Sequence, residues 1–160
     1  MLTFFLSGNY LSRILTMRVK NLKMISMMFN DIKNLFQFSC PNLNEMIINL
    51  SQKGSLSDLF FLKDCAERLK NNELFPIAWR TSLLNNRSKL YLKSDDFNSL
   101  LSFGEDLGTT AVEGQISICE MYKNIIGESL DNAQKSSQKY SKLFAPLAIL
   151  LGAATSVMLI

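Results

Sequence analysis

The chain reads as all-α: a six-helix cytosolic bundle whose last long helix continues into a C-terminal transmembrane span. Three observations predict this. Apolar residues recur at spacings of three and four along several stretches, which places them on one helical face. No alternating run of β-branched residues is bounded by turn residues, so strand signals are nearly absent. The last eighteen residues, Leu143–Ile160 (LFAPLAILLGAATSVMLI), carry no charge, and Lys135, Lys139 and Lys142 stand directly before them. A helix of that length reaches about 27 Å, close to the thickness of a bilayer's hydrocarbon core. Pro146 does not oppose a span, because bilayer helices tolerate such breakers. Lysines beside a span tend to stay on the cytoplasmic side, so the chain before Lys142 is expected in the cytoplasm. The alternative is a buried C-terminal helix of a soluble domain.

Each element has its own signal. Met1–Leu6 is apolar but too short to span, and no small-residue cleavage site follows it. From Leu11 to Phe38, Leu15, Leu22, Phe29 and Phe36 recur every seven residues with Ile25 and Ile32 between them. That stripe predicts a first helix packing into a core or forming a coiled-coil seam. Pro41 stops it and suits the first turn of a second helix, with Leu43, Met46, Ile47 and Leu50 inward before Gly54. Ser57 can cap a third helix bearing Leu59, Phe60, Ala66 and Leu69, and Pro76 opens a fourth with Ala78, Trp79 and Leu83. Ser94 can cap a fifth, with Phe97, Leu100, Leu101 and Leu107 apolar and Gly108 at its end. Thr110 and Glu113 form a capping box for the sixth. Its register runs through Val112, Ile116, Cys119, Ile126, Leu130, Ala133, Tyr140 and Phe144, interrupted by Lys123 and Ser137.

Charge divides the chain into three parts. Residues 1–23 carry +4, residues 24–134 carry −4 and residues 135–142 carry +3. The expected organisation is a basic, membrane-proximal segment 1–23, a helical domain 24–142 and a span 143–160. Both basic clusters lie at the ends, where an anionic inner leaflet attracts them, and no basic stripe crosses the folded part as a nucleic-acid binder would require.

Histidine is absent, which removes the commonest general base and the commonest metal ligand together. Cys40, Cys65 and Cys119 are isolated and form no metal-ligand pair, so each reads as a small core residue. No phosphate-binding glycine loop is present. Asp95 and Asp96 are adjacent, and adjacent helical residues point different ways, so they make no two-carboxylate site. No enzyme, no cofactor and no metal are expected.

The string Phe103-Gly104-Glu105-Asp106-Leu107-Gly108, followed by Gln115, resembles the stage III sporulation protein AB family. Leu59-Phe60, Leu69, Ala78-Trp79 and Leu83 fit the family's middle section in order and spacing, and the likeness runs from about Gly8 to Ile160. The resemblance implies a non-catalytic scaffold, similar to the F-type platform proteins of type II secretion. It implies a place in the mother-cell membrane facing the forespore, within the channel that links the two cells. The implied partners are the assembly's cytoplasmic secretion-type ATPase, stage III sporulation protein AA, and the channel's other membrane proteins, with no nucleic acid. Family members usually begin with a full transmembrane helix, whereas here only MLTFFL precedes the Gly8-Asn9-Tyr10 region. A second reading is a tail-anchored helical adaptor that oligomerises through the Leu15/Leu22/Phe29/Phe36 seam.

Several residues carry two readings. Trp79 is a core anchor or a partner contact. Gly104 suits a close helix approach and Gly108 a left-handed helix end. Asp95, Asp96, Glu105, Asp106 and Glu113 are a solvated face or an acidic contact for basic residues of the ATPase. Gln115 bonds within the domain or faces a partner.

Overall fold

In a computed structural model of the protein, the backbone is described for residues 2–39 and 42–158, and side chains for residues 10–39, 42–139 and 142. Seven α-helices and one 3-10 turn make up these described residues: α1 (Leu2–Phe38), α2 (Leu43–Ser51), the 3-10 turn (Gly54–Leu56), α3 (Phe60–Lys70), α4 (Phe75–Asn85), α5 (Arg87–Leu90), α6 (Ser94–Asp106) and α7 (Val112–Met158). The all-α reading therefore holds, and the additional helix is the single turn α5. It arises where Asn86 interrupts α4 and Tyr91 turns left-handed at φ 52°.

Two long helices form the frame. α1 spans 37 residues and α7 spans 47, and they lie antiparallel. Lys33 pairs with Glu120 at 3.0 Å, and Lys123 donates to Asn30 at 2.8 Å. The stripe read from the sequence lies between them: Leu22, Ile25, Phe29, Ile32 and Phe36 are buried, facing a layer that includes Cys119, Tyr122, Ile126 and Ala133. Helices α2 to α6, which lie between the two in sequence, share this core. Leu22, Phe29 and Phe36 of the seam on which the oligomerising-adaptor reading depended are thus spent inside the molecule, and Leu15 is half-buried. α1 also crosses residue 23 without a break, and Arg18, Asn21 and Leu22 on the basic side of that boundary are buried.

The transmembrane expectation is corrected. Among the described residues, no helix is long and apolar enough to cross a membrane. The side chains of Leu143–Ile160, on which that expectation rested, lie outside the described residues, although α7 runs as one helix to Met158. A membrane-anchored scaffold in the mother-cell membrane does not follow from this structure. Cys40, Pro41 and the side chain of Tyr140 likewise fall outside what is described.

The helix ends differ in detail from their sequence signals. Asn42 caps α2 by accepting the Asn44 N–H at 3.0 Å. Ser57 ends the 3-10 turn, and Leu59 precedes α3 in its place. Pro76 does sit in the first turn of α4. Ser94 is the first residue of α6, and the capping acceptor is Asp96, whose carboxylate takes the Lys93 N–H at 3.2 Å. An acid three residues into a helix both satisfies a free N–H and complements the positive end of the helix dipole.

Candidate functional site

The residues of the F-G-x-x-L-G string meet at the corner between α6 and α7. Trp79 from α4 is fully buried there, edge-on to Phe61 at 5.2 Å and tilted against Phe75 and Phe103, both at 5.6 Å. Phe103 continues the aromatic row to Phe29 at 4.4 Å and Tyr122 at 5.5 Å. One connected set of rings therefore links α3 and α4, through α6, to both frame helices. Such ring pairs add about 0.5–1.5 kcal/mol each beyond simple burial. The indole Nε1 donates to the Leu100 carbonyl at 2.8 Å, which satisfies its one polar atom. Ala78 is buried beside it. Trp79 is a core anchor.

Gly104 makes this contact possible. A Cβ there would stand 2.0 Å from Trp79 Cδ1, inside any real contact distance. Leu107 then closes α6, its N–H donating to Phe103 O at 2.9 Å and its side chain buried. Gly108 adopts φ +88°, a conformation that side chains other than hydrogen rarely accept.

Gln115 locks the corner. It is buried, and its Oε1 accepts the Gly108 N–H at 2.9 Å. Its Nε2 donates to the Thr110 carbonyl at 2.9 Å and to Thr110 Oγ1 at 3.1 Å. One side-chain amide thereby satisfies both a donor and an acceptor of the turn. The sequence had assigned this task to a Thr110–Glu113 capping box, whereas the bonds run through Gln115 and Glu113 is exposed.

The five candidate acids do not form one patch. Asp96 is buried and accepts Arg18 Nε at 3.1 Å and Nη2 at 2.7 Å, the two side chains being 2% and 8% exposed. Asp106 accepts the Tyr122 hydroxyl at 2.7 Å. Glu105 is exposed and pairs with Arg80 at 2.8 Å. Asp95 and Glu113 are exposed, and Asp95 lies ten residues from Glu105 on α6, roughly 15 Å along the axis. Of the lysines flanking the expected span, Lys135 pairs with Asp131 four residues earlier, and Lys139 and Lys142 are exposed. The N-terminal basic cluster is divided too, since Arg18 is spent on Asp96 and Lys20 on Asp58.

The buried Arg18–Asp96 pair was missed in the sequence, although Arg18 gave a signal. It stands seven residues before Ile25 in the same register as Ile25 and Ile32, so a charge sits on the core face of a helix. Such a charge requires a partner. Asn21 adds a second tie from α1, donating to Leu90 O at 2.6 Å.

Burial pushes the thiols of Cys65 and Cys119 up to about 12, so neither is a thiolate at neutral pH. Burial, then the Asp106 carboxylate, raises the Tyr122 phenol to about 12. Among the described residues, no three His, Cys, Asp or Glu side chains gather to hold a metal ion.

Comparison with known proteins agrees with this picture. The family model for stage III sporulation protein AB matches residues 1–160. A solved structure of stage III sporulation protein AB (SpoIIIAB) superposes with a TM-score of 0.65 at 17% identity, covering 76% of this chain and 97% of that one. At that identity the superposition speaks for the fold alone. No curated protein matches. With the family match running over every residue, the chain belongs to the stage III sporulation protein AB family.

Proposed function

We propose that the chain is a helical scaffold of the stage III sporulation channel and that it receives the assembly's secretion-type ATPase, stage III sporulation protein AA. The observation that carries this reading is the family match over residues 1–160. The chain is non-enzymatic, in keeping with its family. Phe103, Gly104, Leu107, Gly108 and Gln115 of the family string all pack or bond at one corner, as a platform for another protein requires. Asp95 and Glu113 remain at the surface as acidic contacts for basic residues of the ATPase, whereas Glu105 is engaged with Arg80.

The test is analytical gel filtration of the purified full chain with that ATPase. Co-elution is expected, weakened at raised salt and by Asp95→Lys with Glu113→Lys, because exposed charge contacts are screened. Separate elution of the wild-type proteins at tens of micromolar would count against the reading.

A further inference from the structure

We propose that the outer face of α4 is a docking surface for an acidic amphipathic helix of a partner protein. α4 is apolar on two sides. Its inner side, with Phe75, Ala78, Trp79 and Leu83, is buried. Its outer side carries Ile77 and Leu84, which are 52% and 49% exposed, with half-buried Thr81 between them, and Leu74, the extended residue just before the helix, is 70% exposed. From Ile77 the steps are four and three, which makes a helical stripe roughly 10 Å long. Single exposed apolar residues need no explanation, but a helix of a self-contained domain normally turns one apolar stripe inward and a polar face outward. A second stripe of large side chains at helical spacing marks a surface that something covers. Its width, one helix, and its spacing suit a helical ligand laying down anchors at matching intervals.

Charge selects the occupant. From Leu74 to Lys93 the chain holds Arg80, Arg87, Lys89 and Lys93 and no acid. Arg80 stands on the helix between Ile77 and Leu84, directly beside the stripe, and is exposed. Arg87 is held over the Phe97 ring at 4.7 Å and Lys89 over the Phe60 ring at 5.1 Å, so both cations are positioned while their charges stay at the surface. Three acids lie nearby. Asp64, which accepts from Asn85 and Asn86 at the end of α4, and Glu73 are both engaged with Arg68, at 3.0 and 3.2 Å, and Glu105 with Arg80 in a pair more than half exposed on both sides. An exposed pair of that kind is worth little and exchanges readily for a better-placed carboxylate. A second copy of this chain would set the same basic segment against itself, and a basic helix would be repelled likewise. An acidic helix with a periodic apolar edge meets both the stripe and its rim. Asp95 and Glu113, assigned above to the ATPase, lie on other helices, so the two proposals fail separately.

The experiment places a photo-crosslinking amino acid at Thr81 of the full-length chain in sporulating cells and maps the adduct by mass spectrometry. The expected adduct lies on a segment of another protein whose apolar residues recur every three or four positions and are flanked by Asp and Glu. Arg80→Glu should lower the yield about fivefold or more, as loss of a rim charge contact does, and Ile77→Ser with Leu84→Ser should abolish it. Both changes are at exposed positions, and an unchanged thermal melt verifies the fold. An adduct with a second copy, with lipid or with a net-basic segment would overturn the proposal. So would the absence of any adduct, or a yield indifferent to Arg80→Glu.

Discussion

Gly104 is the residue on which the packing of the corner turns. With its would-be Cβ 2.0 Å from Trp79 Cδ1, Gly104→Ala must displace the indole or bend α6. A loss of about 3 kcal/mol is expected, at the upper end of overpacking costs, measured by urea unfolding. Gln115 allows a finer test, because its two ends do different work. Gln115→Ala strands the Gly108 N–H and the Thr110 carbonyl and should cost about 2 kcal/mol. Gln115→Glu keeps the acceptor for Gly108 but loses the donor to Thr110, so it too should destabilise the fold; equal stability for Glu and Gln would refute the lock. The buried thiols and Tyr122 set the alkaline limit. Each has a folded-state value raised to about 12 from 9.0 or 10.0, so the folded chain keeps its protons after the unfolded chain has lost them. Their contribution is fully present below about pH 9 and is lost as pH rises from 9 towards 12. The melting temperature should fall across that window. The roles of Gly104 and Gly108 were legible because glycine has few reasons to stand at a helix crossing or a helix end. The role of Gln115 was not, because a buried amide and an exposed one look alike until both ends of its bonds are in place.

At the scale of elements, periodicity was a good guide and capping residues a poor one. The α1 stripe, Pro76 in the first turn of α4 and the stop after Leu107 all follow from steric rules that need no distant partner. The caps at Ser57 and Ser94 failed because a local preference worth about 1 kcal/mol yields to tertiary demands. At α6 the demand is Arg18, which fixes Asp96 at the third helical position from a residue 78 positions away. No window on the sequence contains both. Asp96→Ala leaves that guanidinium buried without its partner and should cost about 3–5 kcal/mol, whereas Arg18→Met with Asp96→Leu should cost far less. Strong additivity in this double-mutant cycle would show that the pair does not couple α1 to α6. The same scale explains α4, whose apolar residues on two sides gave the sequence no single face to report.

For the whole molecule, the all-α class was readable because such a chain advertises itself by spacing, although the span expected at its end was not borne out, and the family was readable because an ordered series of residues survives at fixed intervals. The antiparallel frame of α1 and α7 was not readable. An amphipathic helix declares that it has a buried face but not what covers it, so the same stripe served equally for a core and for an oligomer seam. The structure resolves this by burying Leu22, Phe29 and Phe36 within the chain. Phe29→Ala should therefore unfold the monomer, at about 3–5 kcal/mol, and leave no oligomer equilibrium to shift. Light scattering on the wild type and variant separates the two outcomes.

The central claim is that this folded helical domain receives the ATPase, and quantitative capture from sporulating cells tests it most directly. Tagged full-length chain is immunoprecipitated, and the bound secretion-type ATPase is measured by mass spectrometry for the wild type and for Asp96→Ala. The account predicts that the ATPase accompanies the wild type and that its recovery falls in proportion to the folded fraction of Asp96→Ala. Absence of the ATPase from the wild-type precipitate while it is present in the lysate, or undiminished capture by the unfolded variant, would contradict it.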